Sequence, residues 1–156
     1  MTEQNLDHAQ VMVPPPLVFL GYLIGALVVN WAVPFPEPWI FAFRIIGAVM
    51  VVAGFFLAGS AISQMRKSHT SPDPHQPVTA LVTSGPYRFT RNPIYLGFLL
   101  IYLGFTMAAG TWWGWLGSPF LIWSVTNSVI QPEEVYLGDK FEEQYKEYRS
   151  RVRRWI

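Results

Sequence analysis

The chain has 156 residues, 51% of them hydrophobic and only 13% charged, with a formal net charge of +1 and no cysteine. Soluble domains carry about 25% charged residues, so this composition argues against a water-facing surface and excludes a disordered chain. No disulfide, thiolate metal site or catalytic thiol is available, and there is no global basic field for nucleic acid.

The apolar residues are clustered. Leu17 to Val33 is free of charge and flanked by Pro14-Pro15-Pro16 and by Pro34, Pro36 and Pro38. No basic residue precedes it, which argues against a cleaved signal peptide. Trp39 to Ser63 follows, with Arg44 its one charge. From Asn92 to Pro132 no Asp, Glu, Lys or Arg occurs in 41 residues. A membrane span needs about 20 such residues, so this stretch is worth two. Gly110 to Gly117, with Trp112, Trp113 and Trp115, reads as a tight turn at one membrane face. The spacing predicts four spans, over about 17–33, 39–63, 94–110 and 113–130, joined by a loop over 64–92. The fold expected is a single all-α integral membrane domain.

Ten of the 11 basic residues lie in that loop or in the C-terminal tail. The positive-inside rule makes both cytoplasmic, and four spans return the N-terminus to the same side. In a bacterium the membrane would be the inner or plasma membrane. Arg44 reads as a snorkelling side chain at the outer interface, with a buried anionic partner as the alternative. Glycines 21, 25, 47, 54 and 59 read as marks of close helix packing, and Gly21/Gly25 has small-xxx-small spacing.

The tail carries Leu137, Phe141, Tyr145, Tyr148, Val152 and Trp155 at spacings of three and four. That is one helical face, with charges on the other, and it predicts an amphipathic interfacial helix over 133–156. His69, His75 and Asp73 in the loop match no rigid metal-ligand spacing, so no metal is expected.

Polar chemistry meets the membrane at two places. At the loop's end Gly85-Pro86 forces a turn and Pro93 suits the first turn of the third span. The amides of that helix start, with Arg88 and Arg91, suit an anion. The second place is Glu133-Glu134, fit to bind a cation or hydroxyls. The plainer alternative is that the arginines meet lipid phosphate and the glutamates cap the tail helix.

The run Leu81-Val82-x-x-Gly85-Pro86-Tyr87-x-x-x-Arg91-Asn92-Pro93-x-Tyr95-x-Gly97 is followed by Glu133-Glu134, Leu137, Phe141, Tyr145, Tyr148, Val152 and Arg154-Trp155-Ile156. This ordered set resembles the isoprenylcysteine carboxyl methyltransferase and phospholipid methyltransferase superfamily, as a small bacterial-type member. The resemblance covers roughly residues 65–156. It implies a membrane enzyme using S-adenosylmethionine, held at the cytoplasmic end of the last two spans under the C-terminal helix. Carried over, Thr79, Ala80, Leu81 and Val82 would line the cofactor pocket. Tyr87, Arg91, Asn92, Pro93, Ile94 and Tyr95 would contact the cofactor, and Gly97 would allow its close approach. Glu133 and Glu134 would hold its polar parts. Its carboxylate suits Arg91 or the helix amides, and its ammonium and ribose hydroxyls suit a glutamate.

Three positions depart from the family pattern. Asn92 stands where many members have histidine, so no histidine base is available there. Glu142 follows Phe141 where glycine is usual. Val129 stands where the eukaryotic prenylcysteine enzymes place an arginine for the substrate carboxylate, and Arg151, Arg153 or Arg154 replaces it only if the tail folds back. On this resemblance the acceptor would be a lipophilic carboxylate, amine or thiol arriving from the bilayer. A carboxylate needs no base; an amine or thiol does, with Tyr95, Glu133 and Glu134 as candidates. A non-catalytic scaffold and a sterol-reductase-like nicotinamide enzyme are the alternatives.

Overall fold

Apolar runs bounded by proline and glycine become helices. The computed structural model describes residues 8, 9, 11, 13–34 and 40–156, and its regular structure there is entirely helical. Helix α1 spans Pro15–Ala32 and α2 spans Ile40–Lys67. A short 3-10 turn, Gly85–Arg88, precedes α3, Pro93–Ala108. Helix α4 covers Trp113–Val125, and a π-helical turn, Thr126–Ile130, runs directly into α5, Gln131–Arg151.

Pro15 and Pro93 sit in first turns, where a missing N–H costs nothing. Helix α2 continues four residues past the end expected at Ser63. Its last turn carries Arg66 and Lys67, which favour the negative end of the helix dipole. Gly110 takes φ +70 in the turn between α3 and α4, a conformation open to glycine without a Cβ penalty. Most of the connection between α1 and α2, residues 35–39, lies outside the described residues.

Two helices, Pro15–Ala32 and Phe41–Lys67, are long and apolar enough to cross a membrane. Helix α3 is apolar but has 16 residues, and α4 has 13 before the π-turn extends it. Large apolar side chains point outward, among them Phe41, Val52 and Phe56 of α2 and Phe120 and Trp123 of α4. Such a surface suits lipid better than water. The interior is built from Phe19, Leu99, Tyr102, Leu121, Val125, Val129 and Ile130. Arg44 is exposed near the start of α2.

Helices α2 and α3 make the most extensive contact, and α1 packs on α4 and α3. The α2–α3 contact is made of facing glycines. A Cβ on Gly47 would lie 2.5 Å from the Gly104 oxygen, and one on Gly54 would lie 2.6 Å from that of Gly97. Glycines 21, 25 and 59 behave otherwise: a Cβ there meets nothing within 4 Å. The packing role expected of them is corrected, because no neighbour comes within reach of a Cβ there; Gly21 and Gly25 instead line an open groove between α1, α3 and α4.

The tail also differs from expectation. No break separates α4 and its π-turn from the tail helix: Val125, Ile130 and Gln131 are all right-handed helical. The tail helix ends at Arg151, not Ile156, and Val152 is extended. Within α5, Glu142 is non-helical, with φ 43 and ψ −116, and kinks the helix. This is the position where a glycine was noted as missing, and the backbone there is one that glycine tolerates and glutamate resists.

Candidate active site

The site forms where the end of the 64–92 connection, the start of α3 and the start of α5 meet. Gly85 enters the 3-10 turn at φ +61, and Gln64 Nε2 donates to Ser84 Oγ at 2.6 Å. This pins the turn to the end of α2. Tyr87 is buried beneath it, and Tyr148 of α5 donates its hydroxyl to the Tyr87 carbonyl at 2.8 Å. The π-turn adds a residue to the α4–α5 rod, which rotates everything after it by about 100° relative to an unbroken helix.

The two glutamates of the first turn of α5 have different partners. Tyr95, one turn into α3, donates its hydroxyl to Glu133 Oε1 at 2.5 Å. Burial pushes the Glu133 carboxyl up to about 7; the Tyr95 hydrogen bond opposes the rise and the neighbouring Glu134 charge adds to it. Glu134 is instead held by two guanidiniums. Arg91 Nη1 lies 3.1 Å from Oε1, while Arg154 donates from Nε to Oε1 at 2.9 Å and from Nη2 to Oε2 at 2.6 Å. Arg91 Nη1 also donates to the Tyr145 hydroxyl at 3.3 Å. Burial pushes the Tyr145 and Tyr148 hydroxyls up, so both remain neutral donors.

A cavity opens between these groups. Ala80, Leu81, Val82, Tyr87, Arg91, Asn92, Pro93, Ile94, Tyr95, Glu133 and Glu134 line it. Two of the anticipated residues lie elsewhere. Gly97 faces α2, where a Cβ would stand 2.7 Å from the Gly54 oxygen, so its missing side chain serves helix packing. Thr79 is tied into the connection: its amide donates to Thr70 Oγ1 at 3.0 Å and its hydroxyl to the His69 carbonyl at 2.7 Å. Two amides at the start of α3 are likewise engaged. Arg91 N donates to the Arg153 carbonyl and Asn92 N to Thr90 Oγ1.

Sequence reasoning missed several lining residues. Tyr145 and Tyr148 sit on the aromatic face of the tail, which read equally well as a lipid-contacting stripe. Ala9 and Pro72 to Pro74 also line the cavity, and no periodicity marks them. His75, beside them, links Asp73 Oδ1 and the Val11 carbonyl, each at 3.1 Å.

Hydrophobic walls, an acid pair and an arginine thus meet in one cavity at the end of an apolar helical bundle, the kind of concave, mostly apolar site with a few convergent polar groups that holds small molecules elsewhere. A family model for phospholipid methyltransferase matches residues 42–144, and the chain belongs to that family. It is 31% identical over 105 residues to a protein-S-isoprenylcysteine O-methyltransferase of Schizosaccharomyces pombe, covering 67% of this chain and 40% of that one. It is 26% identical over 132 residues to the enzyme of that name in Saccharomyces cerevisiae, covering 76% and 53%. An uncharacterized Haemophilus influenzae protein is 40% identical over 63 residues, which are 40% of this chain and 100% of that protein. The matched part is thus about half the length of the two named yeast relatives or less. No solved structure matches.

Proposed function

We propose that the chain transfers the methyl group of S-adenosylmethionine to a lipophilic acceptor at the cytoplasmic face of a membrane. Helices α1, α2, α3 and α4 with its π-turn are the four spans, and α5 lies at the interface. The observation that carries this reading is the meeting of Arg91, Tyr95, Glu133 and Glu134 in one cavity, on the side of the bundle that holds nearly all the positive charge.

The residues fit the group. Arg91 lines the cavity in a side chain only 9% exposed, and its charge is only partly shared by Glu134, so it suits a carboxylate. Glu133, held by a neutral tyrosine, suits an ammonium or ribose hydroxyls. Tyr87, Tyr145 and Tyr148 offer flat apolar surface.

When bound, S-adenosylmethionine supplies a methyl group already activated on sulfur. The chain's task is to align the acceptor, for which orientation contributes up to about 7–11 kcal/mol. Arg91 and Glu133 hold the cofactor's polar end, Glu134 is engaged by the Arg91 and Arg154 guanidiniums, and Tyr95 keeps Glu133 in one orientation. A carboxylate acceptor needs no base. For an amine or thiol acceptor, Glu133 is the base best placed, since its affinity for a proton is poised near neutral pH.

The test is calorimetric titration of the purified protein with S-adenosylhomocysteine. Tyr95→Phe is expected to weaken binding about tenfold while leaving thermal unfolding nearly unchanged. Unaltered affinity in the folded variant would remove the Tyr95 hydroxyl from the site.

A further inference from the structure

After Arg151 the chain leaves the helix and lies across the start of α3. The Arg153 carbonyl accepts from the Arg91 amide at 3.0 Å. The Arg154 carbonyl accepts from Asn92 Nδ2 at 2.9 Å and from Thr90 Oγ1 at 3.1 Å. Trp155 Nε1 donates to Thr126 Oγ1 in the π-turn at 3.3 Å. These bonds hold the strap through its backbone and Trp155, without the Arg154 side chain.

That side chain makes a two-pronged contact with Glu134, one nitrogen on each oxygen. Arg91 meets the same carboxylate with Nη1, 3.1 Å from Oε1. Two guanidiniums therefore share one carboxylate, and the geometry favours Arg154, whose paired bonds are the stronger arrangement. Arg91 lines the cavity, and its Nε, closed off inside the protein, has no acceptor. A guanidinium at the cavity lining whose charge is only partly shared by Glu134 suits an incoming anion.

We infer that Arg154 is a positioning residue: by occupying Glu134 it keeps Arg91 from closing on that carboxylate, and so leaves Arg91 to bind the carboxylate of the ligand's amino-acid end. This inference rests on the cofactor reading above. Without Arg154, Arg91 would turn two of its nitrogens to Glu134, and the cavity would lose its anion receptor. Arg154 acts through Arg91 and needs no contact with the ligand.

The test compares two ligands that differ only in the carboxylate: S-adenosylhomocysteine and its decarboxylated analogue, S-adenosyl-3-thiopropylamine. Binding of each to the full chain in detergent is measured by calorimetry. The parent should prefer S-adenosylhomocysteine by about tenfold or more. In Arg154→Gln that preference should fall toward unity, while affinity for the amine analogue stays within about threefold. Arg154→Lys, which keeps the charge, should retain most of the preference. Glu134→Gln added to Arg154→Gln should restore it, because Arg91 then has no carboxylate to close upon. This double variant also carries the comparison should Arg154→Gln fail to fold, and a double variant without preference overturns the inference.

Equal loss of both ligands in Arg154→Gln would mean that the strap only supports the fold. A preference unchanged in Arg154→Gln would remove Arg154 from anion recognition. If the parent binds both ligands equally, the inference fails and the cofactor reading stands. If it binds neither, the cofactor reading fails and the inference falls with it.

Discussion

Helix α3 meets α2 through absent side chains and meets α4 and α5 through tyrosines. On the first side, an added Cβ at Gly47, Gly54, Gly97 or Gly104 would stand 2.5 to 2.7 Å from a backbone oxygen of the facing helix. On the second, Tyr95 reaches Glu133 and Tyr102 donates to the Gly114 carbonyl at 2.9 Å. The difference assigns work to each side. Backbone-to-backbone contact fixes the height and rotation of α3. That fixed helix can then hold hydroxyls in place on its other side. Gly97 and Tyr95 are two residues apart and belong to opposite sides of this division.

Breaking the glycine contact should have the largest effect. Gly54→Val directs a branched side chain at the Gly97 oxygen and the Ile101 backbone, and neither can yield without separating the helices. The expected loss is on the order of 3 kcal/mol or more. Thermal unfolding in detergent checks it, and a midpoint equal to the parent's would show that the two helices are not clamped there.

The tyrosine side is probed by pH. Burial raises the Glu133 carboxyl from 4.5 to about 7. Between these values the folded chain keeps a proton that the unfolded chain has released. The stabilisation is complete below the ordinary value and is lost as pH rises through about 7, to a total of about 3 kcal/mol. Glu133→Gln should flatten this part of the stability curve and raise stability above neutral pH. An unchanged slope between about pH 5 and pH 8 in that variant would assign the dependence to another group.

A smaller effect belongs to α5, whose kink carries a strained residue. Glu142→Gly should stabilise the chain by about 1 kcal/mol, since glycine adopts that backbone without steric cost. A destabilised variant would mean that the glutamate side chain offsets the strain. The smallest effect sharpens the contrast between glycines. Gly25→Ala on α1 should shift stability by no more than about 0.5 kcal/mol, because a Cβ there meets nothing. A loss comparable to that of Gly54→Val would show that α1 has a close neighbour along this face.

Much of the site was legible in order of sequence. Arg91 to Tyr95 and Glu133-Glu134 are motif residues, and both stand at the ends of apolar runs, where a membrane helix starts or stops. The turn at Gly85-Pro86 was legible from its chemistry, and the Glu142 kink left a trace in the missing glycine. What could not be read was pairing. Gly21 and Gly54 look alike as sequence, yet one faces open space and the other a backbone oxygen. Gly97 looked like part of a cofactor motif and belongs to helix packing.

The sequence by itself determined a chain of apolar helices with its positive charge gathered at one end and two polar motifs beside it. Those properties are local, set by runs of side chains and by residues that start or stop a helix. The tertiary structure alone decided that Glu133 meets Tyr95, that Glu134 meets Arg91 and Arg154, and that the last five residues leave the helix. The carbonyl of Arg154 is bonded to side chains 62 and 64 positions earlier. Contacts at that separation are chosen by how packed helices bring distant polar groups together, and no local periodicity encodes them.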